Sequence, residues 1–319
     1  MPKIVIFDGH VTNPGDLSWE PIAQKGTLKV YDRTPDNLVY QRGKAAEIVI
    51  VNKRKLDWYL ISRLRKLKLI CTLATGYNNV DIDAANHFGI TVCNAVGYSS
   101  PSVAQHVFAL LLGLINRVET HNVDVQNNGW ANSVDWSYWK SPMTELSGKI
   151  MGIYGYGKIG EQVAKIALAF GMKVMAVRKS NRQPVNKEVQ LVSLKKLWQD
   201  SDVISLHAPL TATNKGIINQ SVLKQMKPSA YLINTGRGGL VNEMDLKNAL
   251  NEGRITGAGL DVLSQEPPPK DHLLVGVKNC VITPHQAWAT KESRNRLIEI
   301  VAENIRAFLA GKPQNVVNP

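Results

Sequence analysis

The sequence predicts an α/β protein with two doubly wound parallel sheets, because short apolar strands alternate with helices along the whole chain. Candidate strands at residues 4–7, 47–51, 69–73 and 90–93 are continuous runs rich in Val, Ile and Leu. This pattern is typical of parallel strands that helices cover on both faces. With 319 residues, the chain exceeds one average domain and is long enough for two hydrophobic cores.

A second series of strands and helices follows a connecting region. Residues 94–102 carry turn and helix-start signals, and a nearly all-apolar helix then runs to about residue 117. We expect this helix to be buried between domains or between subunits. A tryptophan-rich irregular loop is predicted at residues 130–139. The last helix, at residues 291–310, is amphipathic and is expected to return to the first domain.

Repeated βα units in the second half predict another parallel sheet with right-handed crossovers. A strand–turn–helix–strand module occupies residues 149–177. Further strands are predicted at residues 203–206, 230–234, 255–260 and 280–283, with helices at 221–226 and 244–251.

Composition and charge restrict the partners. Lys and Arg number 38 against 26 Asp and Glu, a formal net charge of +12, while the 44% hydrophobic and 20% charged content is ordinary for a globular protein. No nucleic acid is expected, because the basic runs at 53–55 and 63–68 are short and lack interleaved aromatic residues. No membrane contact is expected either, since the longest apolar stretch, 107–115, is about half of a bilayer span.

The cysteines favour a reducing compartment. Cys71, Cys93 and Cys280 are odd in number, scattered and without metal-ligand spacing. We therefore expect a cytoplasmic protein with no metal site.

A glycine fingerprint lies at the start of the second series of strands. Gly155-x-Gly157-x-x-Gly160 follows an apolar strand and opens a helix, and a second strand comes after it. The first glycine permits a tight turn, the second lets the backbone approach a pyrophosphate, and the third allows close helix–strand packing. In this context the fingerprint predicts a dinucleotide site at the helix N-terminus rather than an incidental glycine-rich turn.

The residue after that second strand indicates which dinucleotide binds. NAD sites commonly place Asp or Glu there, whereas this chain has Arg178, followed by Lys179, Ser180 and Arg182. A guanidinium can bind a 2′-phosphate with its planar fork, and the neighbours add charge and donors. The sequence predicts a preference for NADP(H); NAD(H) is the alternative if these residues form only a solvated basic turn.

Hydride transfer to a 2-keto acid requires a cation for the carboxylate, an acid for the developing alkoxide and a carboxylate that tunes the acid. Arg237 follows one strand, Asp261 and Glu266 follow the next, and His285 follows the last. Each residue alone is more commonly structural. Together, at the carboxyl ends of successive parallel strands, they form a candidate catalytic group.

These motifs resemble the D-isomer-specific 2-hydroxyacid dehydrogenases over essentially the whole chain. Besides the fingerprint, the resemblance rests on residues 74–81, 206–211, 234–238, 261–266 and 283–285, in the family's order. Segments 75–81 and 284–290 look most like the glycerate dehydrogenase, or hydroxypyruvate reductase, branch. The resemblance implies a Rossmann cofactor domain at residues 99–288, inserted in a flavodoxin-like substrate domain formed by residues 1–98 and 289–319.

The resemblance also implies roles for single residues. His285 is expected to be the general acid and base, with Glu266 favouring its protonated form and Arg237 binding the substrate carboxylate and the reacting oxygen. The backbone of Thr75, Gly76 and Tyr77 is expected to bind the carboxylate from the other domain. The further residues expected at the cofactor are Val103, Lys158, Ile159, His207, Ala208, Pro209, Thr235, Gly236, Arg237, Asp261, His285 and Ala287, with Asp261 beside the nicotinamide amide.

The implied reaction is reduction of hydroxypyruvate or glyoxylate to the D-2-hydroxy acid. D-lactate or phosphite dehydrogenation remains an alternative within the same fold, and a dinucleotide-sensing, corepressor-like binding protein is an alternative of another class. A homodimer through the apolar helix is expected by the same resemblance. Trp139 and Trp288 either shape the substrate pocket or only pack against their neighbours.

Overall fold

The structure is a computed structural model that describes residues 1–179 and 186–319. The strands are β1 (Lys3–Ile6), β2 (Thr27–Val30), β3 (Ile48–Val51), β4 (Leu69–Thr72), β5 (Thr91–Cys93), β6 (Ile150–Tyr154), β7 (Lys173–Val177), β8 (Val189–Leu191), β9 (Val203–Leu206), β10 (Tyr231–Asn234), β11 (Gly257–Leu260) and β12 (Cys280–Ile282). The helices are α1 (Glu20–Ala23), α2 (Asp36–Gly43), α3 (Trp58–Arg63), α4 (Ile82–His87), α5 (Ser100–Asn116), α6 (Val118–Gln126), α7 (Lys158–Ala169), α8 (Leu194–Asp200), α9 (Gln220–Gln225), α10 (Glu243–Asn251) and α11 (Lys291–Leu309).

Across the described residues these strands form two parallel sheets, which confirms the predicted fold class. The first has the order β2-β1-β3-β4-β5 and the second the order β12-β11-β10-β9-β6-β7-β8. Each sheet reverses its strand order once, at β1/β3 and at β6/β9 respectively. Open parallel sheets bind ligands at such reversals, beyond the carboxyl ends of the strands.

The chain divides into two compact units. Unit 1 consists of residues 1–99 and 288–319 and contains the first sheet. One face of this sheet packs against α11 through Leu297, Val301 and Ile305, and the other is covered by apolar residues of α2, α3 and α4. The central strands β3 and β4 are buried on both faces, as their continuous apolar runs predict.

Unit 2 consists of residues 100–287 and contains the second sheet. Helices α5 and α7 cover one face, and residues of α8, α9 and α10 cover the other. The carboxyl ends of β6, β7, β9, β10 and β11 therefore lie along one edge of a sheet that is enclosed on both faces. The turns that carry the candidate residues begin at this edge.

Helix α5 is the apolar helix of the sequence analysis, and it packs within unit 2 against α7, β10 and β11. Its approach to the sheet is close, because a Cβ added at Gly259 would lie 2.9 Å from the Leu110 Cβ. The opposite side of the helix, which includes Ala109 and Gly113, is exposed in the chain as it stands. No helix in residues 1–179 or 186–319 is long and apolar enough to cross a bilayer.

Candidate active site

The glycine fingerprint forms the turn between β6 and α7. Gly155 has φ +100, and a Cβ there would lie 2.4 Å from the Ala208 backbone nitrogen, so the turn requires glycine for conformation and for space. A Cβ at Gly160 would lie 2.8 Å from the Gly155 carbonyl oxygen, which keeps the helix tight on the strand. At Gly157, by contrast, nothing lies within 4 Å of the added atom. The backbone therefore leaves open space at the helix N-terminus, where a phosphate is favoured.

Two buried polar atoms lie on turns at this edge of the sheet. Within the described parts of the chain, the Thr235 Oγ1 and His207 Nδ1 atoms have no hydrogen-bond partner. His207 Nε2 lies 2.8 Å from the Ser205 hydroxyl, and burial lowers the pKa of His207 to about 3. His207 is therefore neutral at pH 7. Buried donors and acceptors without partners are rare in folded proteins, and both atoms belong to residues expected at the cofactor.

The basic segment begins where β7 ends. The Val177 carbonyl accepts hydrogen bonds from the backbone nitrogens of Gly155 and Tyr156, which places the next residue, Arg178, beside the glycine turn. Its guanidinium carbon lies 5.8 Å from the Tyr156 ring centroid. Lys179 follows it, whereas Ser180 and Arg182 lie outside the described residues.

A side-chain hydrogen-bond pair shapes the turn that carries Arg237. Asn234 is fully buried at the end of β10, where its amide oxygen accepts from the Gly236 nitrogen and its amide nitrogen donates to the Arg237 carbonyl. The Arg237 guanidinium donates to the Gly236 carbonyl at 2.7 Å. A Cβ at Gly238 would lie 1.9 Å from the Leu263 carbonyl carbon, so this turn packs directly on the loop that carries Glu266.

Glu266 and His285 form a hydrogen-bonded pair in unit 2. The His285 Nδ1 lies 2.6 Å from the Glu266 Oε2, and the other carboxylate oxygen accepts from the Leu263 backbone nitrogen at 3.1 Å. The two side chains are 28% and 32% exposed, so solvent and small molecules reach them. When Nδ1 donates its proton to the carboxylate, Nε2 is the ring atom on the far side from Glu266.

The segment that carries His285 is held by Asp261. Asp261 is 1% exposed, and its carboxylate accepts hydrogen bonds from the Thr283 hydroxyl and from the backbone nitrogens of Gln286 and Ala287. The Asp261 carbonyl accepts from the His285 nitrogen. Asp261 thus shapes the segment that carries His285, while its contact with the nicotinamide amide stays a prediction.

The remaining sequence candidates occupy two places. In unit 2, Val103 lies on α5, Lys158 and Ile159 begin α7, and Pro209 follows Ala208 after β9. In unit 1, the segment 75–77 follows β4, where the Thr75 hydroxyl donates to the Ala95 carbonyl and the Asn94 amide donates to the Thr75 carbonyl. These contacts fix the loop and leave the Tyr77 side chain 38% exposed.

Comparison with known proteins agrees with this geometry. Residues 108–287 match the model of the D-isomer specific 2-hydroxyacid dehydrogenase NAD binding domain. The chain is 43% identical over 321 residues to a hydroxypyruvate reductase of Blautia hydrogenotrophica, with 99% of each chain covered. It is 42% identical to a glycerate dehydrogenase of Methylorubrum extorquens, with 89% of each covered.

A solved structure is similar along the whole chain. It is an acyclic imino acid reductase, Bsp5, in complex with NADPH and D-Arg, with a TM-score of 0.86, 35% identity and 99% of each chain covered. The fold, the glycine turn, the Glu266–His285 pair and these similarities lead to one conclusion. The chain belongs to the D-isomer specific 2-hydroxyacid dehydrogenase family.

Proposed function

We propose that this protein reduces hydroxypyruvate and glyoxylate to D-glycerate and glycolate, with NADPH as its preferred cofactor. The observation that carries the proposal is the 2.6 Å Glu266–His285 pair in the unit that also contains the glycine turn and Arg237. The relatives named hydroxypyruvate reductase and glycerate dehydrogenase support this substrate class.

The residues present fit a nicotinamide dinucleotide. The open space at Gly157 and the N-terminus of α7 suit the pyrophosphate, while the buried Thr235 and His207 atoms offer hydrogen bonds to a ligand. Val103, Ala208, Pro209, Gly236 and Ala287 complete the proposed cofactor contacts. When bound, a reduced nicotinamide supplies the hydride for the substrate carbonyl carbon.

The protein supplies the proton and the charge. The Glu266 carboxylate stabilises the His285 imidazolium, which donates its Nε2 proton to the carbonyl oxygen as the hydroxyl group forms. The Arg237 guanidinium pairs with the substrate carboxylate and stabilises the negative charge that develops on the oxygen. Binding of the same carboxylate by the backbone of Thr75, Gly76 and Tyr77 stays a prediction of the family resemblance.

NADPH preference is proposed on the basis of Arg178 and Lys179. Arg178 follows β7 beside the glycine turn, at the position where NAD sites commonly have an acidic residue. The Arg178→Asp variant should lose NADPH preference, because a carboxylate repels a 2′-phosphate. The measurement is kcat/KM with NADPH and with NADH, and the exposed Lys165→Asp on α7 is the matched control. Unchanged preference in Arg178→Asp would contradict the assignment.

We also propose a cytoplasmic homodimer in which a second copy of the chain covers the outer side of α5. A shallow apolar groove runs there between α5 and α7, lined by residues that include Ala109, Leu112 and Ile166. Further large apolar side chains are exposed in the region that follows, among them Val118, Trp136 and Met143. An exposed apolar patch of this kind suits an isologous interface, to which each copy contributes the same surface.

The substrate is tested by comparing four compounds. Hydroxypyruvate, glyoxylate and pyruvate are each assayed with NADPH and with NADH, and phosphite is assayed with the oxidised form of each cofactor. We expect the highest kcat/KM with hydroxypyruvate and glyoxylate. His285→Ala should abolish reduction while NADPH binding, followed by fluorescence titration, stays near normal. Fastest turnover of pyruvate or phosphite would replace the substrate assignment, and NADPH binding without reduction of any keto acid would favour the corepressor-like alternative.

A further inference from the structure

The segment between β12 and α11 holds its central histidine in an uncommon conformation. His285 has φ +51, in the left-handed region that residues other than glycine seldom adopt. Such a conformation persists only where surrounding contacts impose it. The His285 nitrogen donates to the carbonyls of Asp261 and Thr283, so part of the constraint comes from the segment itself and from the end of β11.

Helix α5 contacts both ends of this segment. Ser102 and His106 are four residues apart and therefore lie on the same side of the helix. The Ser102 hydroxyl donates to the Ala287 carbonyl at 2.5 Å, and the His106 Nε2 lies 2.9 Å from the Thr283 Oγ1. Ser102 is 5% exposed and the His106 side chain 17% exposed, so both contacts are shielded from water.

The direction of these hydrogen bonds follows from the number of protons available. Thr283 has a single hydroxyl hydrogen, which it donates to the Asp261 Oδ1 at 2.6 Å. Toward His106 the same oxygen must accept, so the His106 Nε2 carries the hydrogen. Asp261 then accepts from the nitrogens of Gln286 and Ala287 on the other side of His285. A continuous hydrogen-bonded chain thus runs from α5 to both flanks of His285.

We propose that Ser102 and His106 are positioning residues that hold the His285 segment in the backbone conformation required for proton transfer. The proposal rests on the proposed function, in which His285 is the general acid. Neither side chain needs to touch the substrate for this role. Ser102 anchors the end of the segment nearest α11, and His106 acts through Thr283 and Asp261 on the other end.

The kinetic test compares His106→Leu and Ser102→Ala with the wild type. We expect kcat for hydroxypyruvate to fall roughly ten- to a hundredfold in His106→Leu, because small displacements of a catalytic group are costly. KM for NADPH should change less than kcat does, since the glycine turn between β6 and α7 and Arg178 are untouched. His106→Gln, whose amide nitrogen can replace Nε2 as a donor to Thr283, should restore most of kcat. The exposed His87→Leu on α4 is the matched control.

A second measurement is independent of activity. Hydrogen–deuterium exchange should become faster in peptides covering residues 283–290 of His106→Leu and Ser102→Ala, with strand β6 unchanged as an internal reference. Unaltered exchange and kcat in both variants, while the wild type reduces hydroxypyruvate, would overturn the proposal and leave the proposed function standing. A wild type that reduces no keto acid would overturn the proposed function, and hydrogen exchange would then still test whether Ser102 and His106 hold the segment that carries His285. Loss of kcat that His106→Gln does not restore would also contradict the role.

Discussion

Asp261 is a buried carboxylate that accepts hydrogen bonds from the Thr283 hydroxyl on one side of His285 and from the backbone nitrogens of Gln286 and Ala287 on the other. Burial acts to raise its pKa, but the hydrogen bonds from His106, Thr283 and the backbone nitrogens of Ala287 and Gln286 outweigh it, so the pKa is held below its usual range. The charged form is therefore the one that the folded protein prefers. Its contribution to stability must depend on pH.

Asp261→Asn should lower the free energy of unfolding by about 2–4 kcal/mol at pH 7, because an amide cannot accept all of these hydrogen bonds. The folded pKa lies below the unfolded one, so this contribution is complete above the unfolded pKa, near pH 4, and is lost as the pH falls through the folded pKa. Urea unfolding at about pH 7, 5 and 3 measures it. The exposed Asp135→Asn is the control, and a difference that stayed constant with pH would contradict the argument.

The catalytic candidates could be predicted from the sequence because polar residues directly after apolar strands have a clear local signal. Arg237, Glu266 and His285 all follow strands, and the strands were recognisable as such. His106 has no such signal, since a histidine in an apolar helix usually only packs. Its contact with Thr283 depends on how α5 lies over β11, which is set by tertiary packing.

The 3₁₀ turn after β10 packs directly on the loop that carries Glu266 because Gly238 has no side chain. Gly238→Ala should displace one of the two backbones, because the new Cβ would overlap the Leu263 carbonyl. We expect kcat to fall roughly a hundredfold as Arg237 and Glu266 move apart. Steady-state kinetics and thermal unfolding measure the effect.

Asn251→Ala is the control for this variant. It is an exposed position at the end of α10, away from the site and from the outer side of α5, so it should leave kcat unchanged and stabilise the helix slightly. Wild-type kcat in Gly238→Ala would show that the two loops are not coupled in the way their packing indicates.

Most strands were predictable, but β2 and β8 were not. β2 alternates exposed and half-buried residues, and β8 has one buried residue in three, so neither shows the continuous apolar run of the central strands. Both strands lie at sheet edges. An edge strand pairs with only one neighbouring strand, and less of its surface is covered. Their existence depends on pairing with β1 and β7 rather than on their own composition. Neither strand carries a candidate site residue, so the site could be predicted without them.

Helix α5 has two sides with different proposed roles. Ser102 and His106 face the segment that carries His285, while Ala109 lies on the exposed side along the apolar groove. An isologous interface on the exposed side would bury the groove in both copies at once. The same helix would then support the catalytic segment and the assembly.

Ala109→Glu should convert the dimer to a monomer, because a charge buried without a partner at the centre of an interface is strongly unfavourable. Analytical ultracentrifugation over a range of protein concentrations measures the mass. Ala45→Glu, an equally small exposed residue after α2 in unit 1, is the control and should leave the dimer intact. Circular dichroism should show the same fold in both variants, since neither position is in a core. A wild type that sediments as a monomer would exclude the proposed dimer. An Ala109→Glu variant that remains a dimer would place the interface elsewhere.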